Sequence, residues 1–414
     1  MSHRITEHGP SPVTVVGWDG SPLGEPARAA LRSAVLVAGG DRHVEVAHEA
    51  GLLLPETRVL TMGDVRPVVA AVVDAARSGC GPSVVLASGD PGLFGIVRRL
   101  RAEGIAPVVL PGVSSVAAIF ARAGLPWDDA LVVSAHGRDP RRALAAARVG
   151  RRVAVLTDGT TGPAQVGAAL AGLDRTLVVG EHLGMPDERV TRVTPEQAAE
   201  RSWADPNVVL VLADEQVSEP GWVVGGWPAP TGWALPEEAF DHRDSMVTKA
   251  EVRALALARL GPALGTVVWD VGAGSGSVGI ECARFGAAVV AVERDGEQCK
   301  RIHANARAHD VRMQVVCGQA PAALAGLPGP DAVFVGGGGP EVVAAVAARR
   351  PARVVVTLAG LERVSPARDV LIGKGYAVEG TLLSASRLAP LPDGSTRLAA
   401  TNPVVVVTAE RDAL

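Results

Sequence analysis

Short apolar runs alternate with Ala-, Arg- and Leu-rich stretches from Val13 onward. The runs "VTVVG", "AVLVAG", "SVVLAS", "PVVLPG", "LVVSAHG", "RVAVLTDG", "TLVVGE" and "NVVLVLA" read as strands. They are nearly continuous in Val and Leu, the pattern of strands buried on both faces of a largely parallel sheet. Between them, "GLFGIVRRLRAEG" and "SSVAAIFARAG" carry helical spacing and end in Gly, as helix C-termini often do.

The alternation breaks at residues 218–240, "SEPGWVVGGWPAPTGWALPEEAF", where Pro, Gly and three Trp residues crowd together. This stretch reads as a linker whose tryptophans dock on a domain. A second alternation follows. "TKAEVRALALARLG", "SVGIECARFG" and "GEQCKRIHANARAHD" read as helices, and "TVVWDVG", "AAVVAVERD", "RMQVVCG", "DAVFVGGGG" and "RVVVTLAG" as strands. "YAVEGTLLSASRL" and "TNPVVVVTAERDA" read as a closing antiparallel pair. At 414 residues the chain exceeds the size at which one core stops growing. The expectation is therefore α/β throughout, with one domain over 12–217, the linker over 218–240 and a second domain over 241–414.

Composition narrows the partners. Hydrophobic residues make up 48% and charged residues 20%, as in a globular protein. A net charge of -4 argues against nucleic acid as the main partner. Lys occurs only at 249, 300 and 374, so the positive charge is almost all Arg, suited to bidentate carboxylate binding. Cys80, Cys282, Cys299 and Cys317 form no C-x-x-C pair and have no His cluster beside them, so free thiols and no metal site are expected. No apolar stretch approaches the roughly 18 residues that span a bilayer, and "MSHRITEHGPSPVTVVG" lacks a signal-peptide core. A cytoplasmic location without membrane partners is expected.

Two Gly-rich loops, each at a strand end, carry the candidate chemistry. In "DVGAGSGSVGIE", Asp270, Gly272, Gly274 and Gly276 occupy a strand-to-helix turn. Glycines there let the backbone bend sharply and approach a ligand. Glu293 ends the next strand, about 20 residues on, where an acid meets ribose hydroxyls. Gly274, Gly276 and Gly279 also satisfy G-x-G-x-x-G, which leaves a nicotinamide dinucleotide open. The longer D-x-G-x-G-x-G spacing, and a helix ahead of it, favour S-adenosylmethionine; a tight turn without ligand is the plain alternative. "CGQAPAAL" sets Gly318 to Ala320 where an adenine could lie. The other loop, "LASGDPGLFG" at 86–95, lacks both that spacing and the Lys of phosphate-binding loops.

"LASGDPGLFG" is followed by "LPGVSS" at 110–115, "SAHGR" at 134–138, "LTDGTTGP" at 156–163 and "GEHLGMPDERV" at 180–190, and preceded by "GGDRHVE". In this order they resemble the tetrapyrrole methylases of cobalamin and sirohaem synthesis, over residues 13–215. "MVTKAEVRA", "WDVGAGSGSVGIE", "GQAPAAL" and "PDAVFVGGGG" resemble the class I methyltransferase of the same pathway. The two in this order are similar to the decarboxylating precorrin C(5,15)-methyltransferases. That resemblance implies a two-lobed tetrapyrrole methylase fold followed by a Rossmann-like class I methyltransferase domain. It implies one S-adenosyl-L-methionine site per domain and a small-molecule precorrin substrate. It also implies methylation at ring carbons 5 and 15 with decarboxylation of the ring carbon 12 acetate, converting precorrin-6B to precorrin-8X, and homo-oligomers. The alternatives are a methylase fused to a nicotinamide dehydrogenase, or a domain that only senses cofactor.

Carried over by motif, the cofactor positions are Ser88, Gly89, Asp90, Leu93, Ser114, Ser115 and Thr157 in the first domain. In the second they are Thr248, Gly272, Ala273, Gly274, Ser275, Gly276, Glu293 and Ala320; Thr248 reads equally as a helix N-cap. The first-strand loop departs from the family's G-x-G-P-G: it is "GWDGSPLG" at 17–24, with Trp18 and Asp19 in place of that turn. "TLAGLER" at 357–363 departs as well. For the polycarboxylate substrate, Arg42, Arg138, Arg243 and Arg387 are candidates, and His136 is a candidate acid or base. No Ser/His/Asp triad or close carboxylate pair stands out, as expected when the methyl donor arrives already activated. "HRD" at 242–244 has no other kinase signature beside it and reads as chance.

Overall fold

The computed structural model describes residues 13–63, 65–213, 230–243 and 247–411; the first twelve residues of the 218–240 linker lie outside the described residues. The chain forms two compact units. One takes the residues up to Asp128 with Ala154–Ala168 and Thr176–Leu212; the other takes Asp129–Val153, Ala169–Arg175 and everything from Ala213.

In chain order the elements begin β1 (Val13–Trp18), α1 (Glu25–Ser33), β2 (Leu36–Gly39), α2 (Asp41–Glu49), β3 (Arg58–Thr61) and α3 (Val65–Ser78). Then come β4 (Ser83–Ser88), α4 (Ile96–Ala102), β5 (Val108–Leu110), α5 (Ser115–Ala123), β6 (Leu131–Ser134) and α6 (Arg141–Val149). β7 (Arg152–Leu156), α7 (Pro163–Leu170), β8 (Thr176–Glu181), β9 (Arg189–Val193), α8 (Pro195–Ala199) and β10 (Asn207–Leu212) complete the first half. The second half runs α9 (Ala250–Leu260), β11 (Val267–Val271), α10 (Ser277–Arg284), β12 (Ala288–Glu293), α11 (Gly296–Ala308), β13 (Gln314–Cys317) and β14 (Ala332–Val335). It ends with α12 (Pro340–Ala348), β15 (Arg353–Leu358), α13 (Val364–Gly373), β16 (Ala377–Leu383), β17 (Ser386–Pro390), β18 (Thr396–Ala400) and β19 (Val404–Glu410).

In the first unit, one sheet runs β3-β2-β4-β1-β5, with every pair parallel. Val13 and Val15 pack with Val72 and Leu100, from α3 and α4, on one face. Val16, Val84 and Leu86 pack with Leu31 and Ala47, from α1 and α2, on the other. Helices on both faces explain why β1 and β4 are almost unbroken apolar runs. A second sheet runs β7-β10-β8-β9 within this unit. Here the expectation of largely parallel strands fails, because β8 is antiparallel to both β10 and β9. β9 follows β8 through a short loop without a crossover helix, and a direct return of that kind pairs antiparallel. β3 and β9, absent from the sequence reading, are sheet edges. β3 is largely exposed, so it has no apolar run to betray it.

The second unit holds the sheet β13-β12-β11-β14-β15-β19-β16. Its first five strands are parallel, and β19 is antiparallel to both neighbours. Trp269, Val290, Val333 and Val354 face one core with residues of α12 and α13, together with Ala145 and Val149 of α6. Val268, Val289, Phe334 and Val406 face another core with α9 and α10. The closing antiparallel pair forms as β16 and β19. "SRL", however, leaves that pair and starts a separate hairpin, β17 with β18, whose Leu388 and Leu398 are exposed.

Two candidate cofactor sites

Strand order reverses between β11 and β14, and in such sheets ligands bind in the crevice beyond the carboxyl ends of those strands. The loop after β11 lies there. Gly272 has φ +72°, and a Cβ on it would stand 2.7 Å from the amide nitrogen of Gly337 in the loop after β14. Only glycine fits this approach. Glu293 closes β12 and gathers the surrounding backbone: its Oε2 accepts from Gly274 N at 2.9 Å, and its Oε1 accepts from Arg294 N at 2.9 Å and Asp295 N at 3.0 Å. Gly318 N donates to Glu293 O at 2.9 Å, which brings the segment leading to Ala320 beside the acid. Loop, acid and third strand end thus meet as their spacing predicts.

Asp270 is buried beneath the loop. Its Oδ2 accepts from Gly279 N at 2.8 Å, while its Oδ1 makes no hydrogen bond. Burial pushes this carboxyl up to about 7 against the pull of the Gly279 amide, and the charge of Glu293 adds to the rise. A Cβ on Gly279 would lie 2.9 Å from Asp270 Oδ2, so this glycine serves helix-strand packing. Ser275 is buried, and its carbonyl accepts from Asn305 Nδ2 at 2.9 Å. Ala273 N donates to Val292 O at 3.3 Å. The backbone cradle around Gly272, the orphaned Asp270 Oδ1 and the remaining lone pairs of Glu293 suit an amino-acid-bearing nucleoside such as S-adenosylmethionine.

Two expectations in this half are corrected. Thr248 is not the N-cap of α9: the helix starts one residue later, so that position is Lys249, whose side chain has no acceptor to cap with; the Thr248 carbonyl accepts from Arg253 Nη1. Cys299 and Cys317 are not free thiols but a disulfide. Cys317 pairs in register with Glu293, and Cys299 lies in the first turn of the helix that follows Glu293, so chain topology brings them together despite the lack of a C-x-x-C motif. Cys80 and Cys282 are free. The described residues contain no group of metal-ligating side chains.

In the first unit the loop after β4 turns at Gly89, where φ is +57°. Gly89 N donates to Trp18 O at 2.7 Å, and Gly112 N donates to Gly89 O at 3.2 Å. A Cβ on Gly17 would come within 2.1 Å of Gly89 O. Three loops therefore meet backbone to backbone. Asp90 Oδ1 accepts from Gly92 N at 2.8 Å, and Leu93 N donates to Asp90 O at 3.1 Å, closing the turn. Ser88 is exposed; its hydroxyl accepts from Arg42 Nη2 at 2.5 Å and lies 3.4 Å from His43 Nε2. Burial, with the Arg42 charge adding, lowers His43 to about 4, so its ring is neutral near neutral pH.

The divergent first-strand loop has a defined role here. Asp19 Oδ2 accepts from Val113 N at 2.7 Å, and Trp18 Nε1 donates to Ser21 O at 2.8 Å. Burial pushes the Asp19 carboxyl up, but its bonds to Ser21 and Val113 outweigh this and hold it low. Asp19 thus ties the loop to the segment that carries Ser114 and Ser115. Ser114 caps α5, accepting from Ala117 N at 3.1 Å, and Ser115 opens that helix. Thr157 is buried and its hydroxyl is spent on Asn207, at 2.6 Å from both the backbone and side-chain oxygens. It braces β7 against β10 rather than presenting a donor to a ligand.

The Arg candidates divide. Arg42 holds Ser88, and Arg243 lies 3.5 Å from Asp295. Arg138 and His136 are exposed. The Arg387 guanidinium is clasped by Glu237 at 2.6 and 2.9 Å and by Glu251 at 2.6 and 2.8 Å, so its donors are engaged within the protein. Sequence reasoning missed Arg253 and Glu281, both fully buried and bonded at 2.5 Å. Glu281 also accepts from Ala234 N and Leu235 N, so the pair seats the described end of the linker on the helix behind the Gly loop. In that linker end, Trp233 rests near Phe285, with ring centres 6.2 Å apart, and stays exposed.

Two family models match the chain: tetrapyrrole (corrin/porphyrin) methylases over residues 23–199, and a precorrin methyltransferase domain over residues 238–407. The first match begins beyond the Trp18–Asp19 turn. A precorrin-6Y C(5,15)-methyltransferase [decarboxylating] of Sinorhizobium sp. is 37% identical over 337 residues, covering 79% of this chain and 78% of its own. A probable cobalt-precorrin-6B C(15)-methyltransferase (decarboxylating) of Pyrobaculum calidifontis is 37% identical, covering 44% of this chain and 98% of its own. A cobalt-precorrin-7 C(5)-methyltransferase of Salmonella typhimurium is 36% identical, covering 43% of this chain and 88% of its own.

Proposed function

Since the chain belongs to the decarboxylating precorrin-6Y C(5,15)-methyltransferase family, we propose that it methylates a precorrin at ring carbons 5 and 15 and removes carbon dioxide from the ring carbon 12 acetate. It is an S-adenosylmethionine-dependent methyltransferase of cobalamin biosynthesis. The observation that carries the bifunctional reading is the presence of two unlike glycine loops, each closed onto neighbouring backbone at the end of a parallel strand. Our reading gives each loop one cofactor molecule. Residues 12–217 are assigned to carbon 5 and residues 241–414 to carbon 15 and decarboxylation, with 218–240 linking them and copies of the chain assembling into a homo-oligomer. Mass spectrometry of the product tests it: two added methyl groups with loss of carbon dioxide are expected, and a product with one methyl overturns it.

When bound, the cofactor supplies a methyl group already activated on a sulfonium, and the pyrrole-derived carbons of the substrate are nucleophilic. The protein's part is alignment and exclusion of water. In the second half, Glu293 would accept from the ribose hydroxyls while still ordering the Gly274 amide, and the glycine cradle would admit the rest of the cofactor. In the first half, Ser88 to Asp90 and Ser114 to Ser115 would line the cofactor, with Arg42 and neutral His43 fixing Ser88. Decarboxylation needs an electron sink, which a protonated ring imine of the substrate provides, so the protein need only place that proton.

A further inference from the structure

Within the second unit a cavity of about 320 Å³ lies among α6, the residues before β8, α11 and β13. Arg148, Arg175, Arg307, Arg312 and His303 line it, and Asp174 is the one carboxylate in the lining. It uses none of the residues of either cofactor loop. Four guanidiniums against one carboxylate repel one another in a partly dry space, an arrangement that an anion would relieve.

Arg175 is the clearest sign of a missing partner. It is 8% exposed. Its Nη1 donates to Asp174 O at 3.0 Å and its Nη2 donates to Arg148 O, yet its buried Nε makes no hydrogen bond. Buried polar groups almost always find a partner, so an orphaned guanidinium N–H calls for one. Burial and the neighbouring charges of Arg312 and Arg148 pull Arg175 down to about 10, against the opposing effect of Asp174. Arg148 is already committed, donating to Ala169 O and to Gln314 Oε1 at 2.6 Å, so it shapes the wall.

We propose that this cavity binds a small oxyanion, a carboxylate or a phosphate, through Arg175, Arg312 and Arg307. Its volume is at the low end for ligand pockets and suits one small acid. Guanidinium groups recognise both oxyanions through paired N–H donors.

Calorimetric titration of the full chain at low ionic strength, with sodium orthophosphate and separately with sodium succinate, tests the site. One equivalent per chain is expected for at least one of the two. Arg312→Gln and Arg307→Gln should each weaken it at least tenfold, and Arg175→Lys should do the same if circular dichroism shows it folded. Arg368→Gln, on a surface pair with Asp369, should leave it unchanged. Binding of phosphate alone assigns a phosphate ligand; binding of succinate, alone or as well, assigns a carboxylate-accepting site. No saturable binding of either anion, or binding by Arg312→Gln and Arg307→Gln equal to the parent's, overturns the proposal.

Discussion

Replacing Glu293 by Gln keeps its shape but turns one acceptor into a donor facing a backbone amide. A hydrogen bond to a charged acceptor is worth about 1.5–3 kcal/mol, and the neutral amide no longer offers one to the ribose hydroxyls. Glu293→Gln should therefore weaken cofactor affinity in the second half by roughly 10- to 150-fold, while carbon 5 methylation persists. Separate assays of the two methylations read this directly. Gly272→Ala meets both a positive φ and the Gly337 amide. It should lose about 1–3 kcal/mol in denaturant unfolding for the backbone alone. Asp270 gives a pH signature. Its carboxyl rises from 3.8 to about 7 on folding, so the native state holds a proton that the unfolded state releases in that interval. Stability from this group falls as pH rises from about 4 to 7 and then levels. Asp270→Asn should flatten that slope, as thermal unfolding across the pH range would show.

Among elements, the buried Arg253–Glu281 pair has most at stake. Glu281→Gln leaves a guanidinium buried without its countercharge, a loss of about 3–5 kcal/mol in chemical unfolding. The Arg387 clasp joins β17 to α9 and to the turn at Glu237. Arg387 holds the Glu237 carboxyl at about 2, below its ordinary 4.5. That contribution is complete above pH 4.5 and fades as pH falls toward 2. Glu237→Gln should abolish this acid-side loss in thermal unfolding monitored over the same range. These features also mark what a sequence can disclose. The pairing of Gly274 with Glu293 was readable because one strand-turn-helix-strand unit fixes it. The clasp on Arg387 is not legible in the sequence, because its partners lie 136 and 150 residues away and nothing local distinguishes it from a surface Arg. The inner parallel strands β1, β2 and β4 in one sheet, and β11, β12, β14 and β15 in the other, declared themselves through apolar runs covered on both faces. Edge strands β3 and β9, and the antiparallel direction of β8, depend on neighbours that periodicity does not encode.

For the whole molecule, two glycine loops of different design end in the same kind of place, beyond the carboxyl ends of parallel strands. This much followed from spacing. The packing of α6, a helix from the first half of the chain, did not: Ala145 and Val149 enter the same core as Trp269 and Val290. The sequence boundary near 218–240 and the packing boundary therefore do not coincide. Two enzymes joined end to end would be modular, and a gene split at the linker would yield two independent products. Here, fission at that point would strip α6 from its seat and leave a greasy scar on the downstream product. Co-expressing the two fragments should restore what either lacks alone, as soluble yield and thermal unfolding of the downstream fragment with and without its partner would show.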